Sequence, residues 1–451
     1  MSLHLPALLQ VALPTASLLR LQALLGIGVI VGAGWLLSKD RRSVSWRVVL
    51  WGLGLQFAFA WIVLRTPLGV AFFQSVSTVV GAVLGYAAEG GRFVFGNLVS
   101  DYIPVGQGDP GNGAFVATPG SMAHTGAFFA FRVLPNIIFV SCLMTVLYHL
   151  GVMQRVVKAV AWIMQRTLRT SGAETLDAAS NIFVGLMESP LVVKPFVERM
   201  TQSELMAIMT AGMATISGGV LAAYAGMMLP YDPDAAGHLI AASVMSAPAA
   251  FVLAKLLVPE TGTPVTAGSL DGASVERPDV NVIDAAARGA AEGLRLALMV
   301  GAMLVAFLAL ISLLNGGLGW IGHLVGIQGL SLEGMLGKAL VPVAWLLGIP
   351  WSDAHLVGQL IGLEFVLNEF VAFARLESIL SAGSALEPRS LVITIYALTS
   401  FANFGSVAMT IAGLGEMAPS RRHDLARLGL RAMLAGLLAT LLTAAVAGLL
   451  V

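Results

Sequence analysis

SNIFVGLMESPLVVKP (residues 180–195) and LIGLEFVLNEFVAF (residues 360–373) decide the fold of this chain. Each is an apolar stretch with a glutamate near its middle, Glu188 in the first and Glu369 in the second. Their flanks match as well. KAVAW (158–162) precedes the first and KALVPVAW (338–345) the second. MTAGMATISGGVLAAYAG (209–226) follows the first and ALTSFANFGSVAMTIAG (397–413) the second. These two apolar spans are interrupted by small and polar residues, TISGG (215–219) and SFANFGS (400–406). Self-similarity in this order marks an internal repeat.

Composition sets the solvent. Of 451 residues, 57% are hydrophobic and 11% charged, whereas a soluble domain carries about 25% charged residues. A surface so poor in charge faces lipid, which excludes a soluble enzyme. Fifty glycines fit membrane helices whose backbones approach closely. The net charge of zero gives no electrostatic basis for a nucleic-acid partner. The single cysteine, Cys142, excludes an intrachain disulfide and reads as a small packing residue. No basic segment followed by a small-residue cleavage site opens the chain, so no cleavable leader is expected.

A spanning helix needs about 20 mostly apolar residues. Eight stretches meet that requirement: 18–38, 46–66, 125–150, 204–229, 237–258, 291–315, 390–413 and 428–450. Residues 67–98 are apolar but contain Gly90-Gly91 and end in Arg92; they are read as part of a surface segment, 67–123, that does not cross completely. Residues 151–168, with Arg155, Lys158 and Arg166, read as an amphipathic surface helix. Lys39, Arg41, Arg42 and Arg47, then Arg155 to Arg169, Arg277 and Arg288, and Arg421 to Arg431 all fall on one side of an eight-span topology. That side is expected to be cytoplasmic and both termini outside.

The expected fold class is thus an all-α polytopic membrane protein of about eight transmembrane helices plus two re-entrant helical hairpins in inverted repeats. Scaffold helices occupy 1–150. The first repeat, 151–258, has a surface helix, a hairpin (172–200), a broken helix (204–229) and a helix (237–258). A cytoplasmic linker (259–290) and a scaffold helix (291–325) follow. The second repeat, 329–451, has a surface helix, a hairpin (352–383), a broken helix (390–413) and a helix (428–450). Inverted repeats with broken helices are a construction of secondary transporters, and their loose backbone groups hold ions and solute near the midplane. An ionised carboxylate at bilayer depth costs about 2.5–3.5 kcal/mol on insertion scales. Glu188 and Glu369 in matching places therefore read as a solute site; the competing reading is a pair of carboxyls that only hold the hairpin tips. Glu174, Glu204, Glu260 and Glu416 read as interfacial caps, and Asp177 and Asp353 as helix starters.

With these strings on the page, residues 120–450 resemble the concentrative nucleoside transporter family, through SNIFVG…ESPLVVKP, NVIDAA (281–286), NEFVAF (368–373) and SFANFGS. The resemblance implies a homotrimer in the cell inner membrane whose hairpins and broken helices move like an elevator. It implies that Glu369 in the Asn368-Glu369 motif, with Asn403 and Ser406, holds the ribose hydroxyls, and that Phe401 packs against the base. It assigns Asn181 and Thr215 as side-chain sodium ligands, Val184 and Ile216 as carbonyl ligands, and Val220 as a pocket-lining residue. The family's first hairpin tip reads Gly-Gln-Thr-Glu; here it reads Gly185-Leu186-Met187-Glu188. Two polar readers of the base are apolar, so base recognition is expected to differ. No cofactor is expected besides sodium as coupling ion.

The function expected is sodium-coupled, less readily proton-coupled, symport of nucleosides into the cell. The alternatives are a symporter for a non-standard ribosyl compound and an organic-anion carrier of similar hairpin architecture. An anion carrier would want a basic residue at the binding centre, whereas Lys194 and Arg375 flank the hairpins. A channel fits poorly with inverted hairpins around a charged central site. An intramembrane enzyme would need a nucleophile–base or metal constellation, and the seven histidines are scattered.

Overall fold

The computed structural model describes residues 15–100, 102–108, 116–124, 129–186, 188–267, 279–383 and 386–451. Apolar helices build nearly all of it. The first are α1 (Thr15–Leu36), α2 (Trp46–Arg65), α3 (Pro67–Phe95), α4 (Leu134–His149) and the amphipathic α5 (Val152–Leu168). The first hairpin follows as α6 (Gly172–Asn181), a turn, a 3-10 segment (Ser189–Val193) and α7 (Lys194–Val197). The first broken helix is α8 (Gln202–Ala214) with α9 (Gly218–Met228), and α10 is Ala235–Leu257. The second half comprises α11 (Val282–Leu324), α12 (Leu332–Leu346), hairpin helices α13 (Trp351–Val366) and α14 (Glu369–Ser381), broken-helix parts α15 (Pro388–Ala397) and α16 (Phe404–Met417), and α17 (Arg422–Leu450). Among the described residues, seven helical stretches are long and apolar enough to cross a membrane. The number is nine if each of two sharply bent pairs, α4–α5 (78°) and α12–α13 (116°), counts as one span.

Long-range bonds define two ends of the bundle. At the basic end, Lys39 Nζ donates to Gln202 Oε1 (3.0 Å) and Arg421 Nη1 to the Met200 carbonyl (2.5 Å). The Arg47 guanidinium meets the Thr167 carbonyl there (3.4 Å). At the other end, Arg20 and Arg65 donate to the Val451 carbonyl (3.3 and 3.5 Å), and Arg389 bonds the Gly348 and Gly448 carbonyls. Gln202 starts α8 and Pro388 starts α15, so the two broken helices enter from opposite ends. This is the inversion that the repeat requires. Their breaks meet in the middle, where the Phe401 N–H donates to the Met213 carbonyl (2.8 Å). That carbonyl lies in the last turn of α8, where no intrahelical donor remains.

Three elements differ from the sequence reading. Residues 102–107 and 116–124, part of the expected surface segment, form a two-stranded antiparallel ribbon beside the otherwise helical fold. Pro104, Pro119, Gly106 and Gly120 in these strands weakened the strand pattern. Helix α11 has 43 residues and begins at Val282, so residues 282–290 belong to it and not to a linker. Asn281 caps it by accepting from the Ile283 and Asp284 N–H groups (3.0 and 2.9 Å). At 1.5 Å per residue it is about 64 Å long, roughly twice a bilayer core. Helix α4 starts at Leu134 after a π-turn (Phe129–Val133); residues 125–128 of the expected span lie outside the described residues.

Helix α3 is long and apolar enough to cross, and its contacts run along much of its length. Ser77 Oγ donates to the Pro233 carbonyl (3.1 Å), Phe73 packs on His238 (4.7 Å between rings), and Gly91 sits beside Pro135 at the start of α4. Helices α4 and α11 pack through small residues. A Cβ on Gly289 would lie 2.6 Å from Thr145 Oγ1, and one on Gly293 would lie 2.8 Å from Ile138 Cα. This spacing is the small-xxx-small contact of membrane helices, where packing replaces the hydrophobic drive.

Candidate solute and cation site

The root of the first hairpin is fixed by capping and charge. Ser171 caps α6 in a capping box with Glu174. Its hydroxyl also donates to Glu204 Oε1 (2.6 Å), and Glu204 is the capping-box partner of Thr201 on α8. Lys255 Nζ reaches Glu174 Oε2 (2.6 Å) from α10. Asp177, expected to start a helix, lies instead in the middle of α6. It accepts from Ser189 Oγ (3.0 Å) and Asn181 Nδ2 (3.2 Å), joining the two arms of the hairpin. The starter is Ser171, whose position the pattern obscured because Asp177 is the stronger acid.

The tip of this hairpin docks on the first break. The Phe183 carbonyl accepts from the Gly218 N–H (3.0 Å). Gly185 has φ +117°, and a Cβ there would lie 2.8 Å from Ser217 Cβ. Only glycine serves both demands. Asn181, Thr215 and Ile216 are buried on these facing segments, and Val184 is half-buried. Asn181 Oδ1 is buried without a hydrogen-bond partner. Thr215 Oγ1 gives its proton to the Ala211 carbonyl (2.9 Å), leaving its lone pairs as acceptors. Buried polar atoms normally have partners; an orphaned amide oxygen is the kind of ligand that a hard cation takes.

The second hairpin turns at Leu367-Asn368. Asn368 caps α14 by accepting from the Val371 N–H (2.9 Å). Glu369, the next residue, is buried. Its Oε1 accepts from the Tyr224 hydroxyl and its Oε2 from Asn403 Nδ2, both at 3.1 Å. Asn403 caps α16: its Oδ1 accepts from the Ser406 N–H (3.0 Å) and hydroxyl (3.3 Å). The Tyr224 ring stacks on Phe373 at 4.3 Å, and Phe370 meets it edge-on at 4.7 Å. Packing thus fixes where the carboxylate points.

These segments enclose a cavity of about 130 Å³. The sequence-expected residues Gly185, Leu186, Glu188, Val220, Asn368, Glu369, Phe401, Asn403 and Ser406 all line it. Met187 lies outside the described residues. Asn181, Val184, Thr215 and Ile216 lie behind the lining, where the hairpin tip meets the break. Sequence reasoning missed Tyr224, Ser217 and a wall from α11: Leu296, Met299, Val300 and Met303. Tyr224 follows Val220 by four residues and so shares its helix face, a signal too weak to separate it from packing. The α11 residues have helical spacing too, but a helix apolar all round gives no contrast to read.

The lining holds polar groups, Glu369, Asn403, Ser406 and Glu188, and apolar ones, Leu186, Val220 and the α11 methionines. Among the described residues, no lysine or arginine lines it. Carboxylates, an amide and a hydroxyl match a solute with several hydroxyls, and the methionines match a flat apolar face.

Known proteins align with this reading. Models of the Na+ dependent nucleoside transporter match residues 25–98 (N-terminus) and 238–448 (C-terminus), and a nucleoside recognition "Gate" model matches 130–231. An uncharacterized transporter of Haemophilus influenzae is 42% identical, covering 95% of this chain and 97% of that protein. The sodium/nucleoside cotransporter 1 of Rattus norvegicus is 41% identical over 92% of this chain, which spans 61% of the rat protein. The structure of CNTnw in an inward-facing substrate-bound state superposes with a TM-score of 0.84 at 41% identity, covering 96% of this chain and 98% of that one. A substituted CNTnw in an outward-facing state gives 0.85 at 41% identity, with coverages of 96% and 99%.

Proposed function

This chain belongs to the Na+-dependent nucleoside transporter family, a family of membrane transporters and not of enzymes, and from that premise we propose that it carries nucleosides into the cell by sodium-coupled symport. The observation that carries the reading is Glu369: a buried carboxylate at a hairpin tip, held by Tyr224 and Asn403, in the wall of the cavity. Glu369, Asn403 and Ser406 take the sugar hydroxyls, and Phe401 and Val220 take the base. Sodium between Asn181, Val184, Thr215 and Ile216 orders the first hairpin tip against the break at Ser217. The same closure places Leu186 and Glu188 in the cavity wall. Each ligand favours one closed state, and that shared preference is the coupling.

Alternating access is of the elevator type: hairpins and broken helices carry the site past the α11 wall. The basic end faces the cytoplasm, by the excess of Lys and Arg there, and both termini face outward across the cell inner membrane. The working unit is a homotrimer. Leu186 lines the cavity where a polar reader of the base is expected, and the sequence continues with apolar Met187, so a range of bases, or a ribosyl compound with an unusual base, is accepted.

The test is uptake of radiolabelled uridine into proteoliposomes under an inward sodium gradient, for wild type and Glu369→Gln. Accumulation that the substitution abolishes is the expected result. Accumulation only under a proton gradient would remove the sodium assignment, and no transport or competition by any nucleoside would remove the substrate class.

A further inference from the structure

Glu364 lies in α13, just over one turn before Glu369, and does not reach the cavity. Its side chain is fully buried. One oxygen, Oε1, accepts a hydrogen bond from Ser400 Oγ in the second break. The other, Oε2, is buried without a hydrogen-bond partner. No Lys, Arg or His among the described residues forms an ion pair with it. The titratable groups that face it are Glu369 from α14 and Tyr224 from α9. One is a second carboxylate, and the other already gives its proton to Glu369. A buried carboxylate with no counter-charge is strongly unfavourable unless a positive partner is supplied.

The repeat supplies a precedent for that partner. Ser400 opens SFANFGS as Thr215 opens TISGG. In the first repeat, the arm entering the hairpin presents an orphaned oxygen, Asn181 Oδ1, two residues before Phe183, whose carbonyl is bonded to Gly218 in the break that Thr215 opens. In the second repeat, the entering arm presents an orphaned oxygen, Glu364 Oε2, and its partner oxygen is bonded to Ser400. A neutral amide on one side is replaced by a carboxylate on the other, so a single positive charge is balanced locally. We propose that Glu364 and Ser400 form a second monovalent-cation site, for sodium or a proton, filled together with the site at Asn181 during each transport cycle. The proposal rests on the sodium-coupled reading above.

The experiment is the accumulation limit of uridine in proteoliposomes with the membrane potential clamped at zero. Under a tenfold sodium gradient, one coupled sodium allows about tenfold accumulation and two allow about a hundredfold. If the second cation is a proton, the sodium gradient alone gives about tenfold and an added inward gradient of one pH unit gives about tenfold more. Wild type is expected to show two cations per solute in one of these two forms, and Glu364→Gln only one sodium, with uridine still carried. A wild-type ratio of one, or an unchanged ratio in Glu364→Gln, overturns the proposal. Should Glu364→Gln fail to fold, the wild-type ratio still decides. Ser400→Ala then provides the second reading, expected to raise the half-saturating concentration of the second cation about tenfold; no change overturns the assignment of Ser400. Absence of sodium-driven uptake in wild type removes the sodium-coupled reading itself, which separates that failure from a failure at Glu364.

Discussion

The hydroxyl of Tyr224 donates to Oε1 of Glu369 across 3.1 Å, and this bond ties the first repeat to the hairpin tip of the second. Asn403 holds the other oxygen from within the second repeat. The carboxylate is therefore aimed from both halves of the molecule. A hydrogen bond to a charged group contributes about 1.5–3 kcal/mol. Tyr224→Phe is expected to raise the half-saturating uridine concentration about ten- to hundredfold. The ring keeps its stacking on Phe373, so the protein still folds, and melting in detergent falls by only a few degrees. Unaltered affinity in this variant would mean that Asn403 alone positions the carboxylate.

Asn181 separates cation binding from solute binding. Its Oδ1 is the orphaned atom of the first site and does not line the cavity. Asn181→Ala is expected to raise the sodium concentration for half-maximal uptake about tenfold or more, with uridine affinity restored at saturating sodium. Sodium titration of uptake reads this directly. An effect on uridine affinity that sodium cannot restore would place Asn181 outside the cation site.

Gly185 meets two constraints at once, a left-handed backbone and close approach to Ser217. Gly185→Ala adds a methyl group where 2.8 Å is available and strains φ, so the tip cannot seat. Uptake is expected to fall at least about tenfold, while the protein still inserts and purifies. Sodium is expected to protect the tip from proteolysis in wild type and not in this variant. Normal uptake would show that tip seating on Ser217 is not part of the cycle.

Leu186 packs into the notch that Gly212 leaves on α8 and lines the cavity. It carries the apolar character of the base end. Leu186→Gln is expected to sharpen base discrimination, changing the ratio of competition constants for a purine and a pyrimidine nucleoside about tenfold or more. Equal competition before and after would assign base selection to the α11 wall.

Much of this architecture was legible because lipid leaves polar residues few reasons to be buried. Glu188 and Glu369 stand out of apolar runs, and TISGG and SFANFGS interrupt others, so hairpins and breaks follow from the pattern. Asn403 and Ser406 are legible for the same reason, inside one of those breaks. Tyr224 was not, because an aromatic in an apolar helix reads as packing until its hydroxyl is seen to meet Glu369. Glu364 was hidden by its neighbour: two glutamates five residues apart read as one motif, and only the fold sends one to the cavity and the other to Ser400. The length of α11 was underread because residues 282–290 carry charges (Asp284, Arg288) that look like a loop. Arg288 is in fact held in a bidentate pair with Asp279 at 2.6 and 2.8 Å. That guanidinium keeps the Asp279 carboxyl below the usual carboxylate range.

The bond from the Phe401 N–H to the Met213 carbonyl also bears on biogenesis. A ribosome delivers α8 to the translocon long before it has made Phe401, and within hydrocarbon an unmatched carbonyl is costly. The newborn first half therefore waits with its backbone unfinished, and the second half completes it on arrival. A chain truncated in the connection between the repeats should be recognised as immature and cleared by membrane proteases, and supplying the missing half in trans should rescue it.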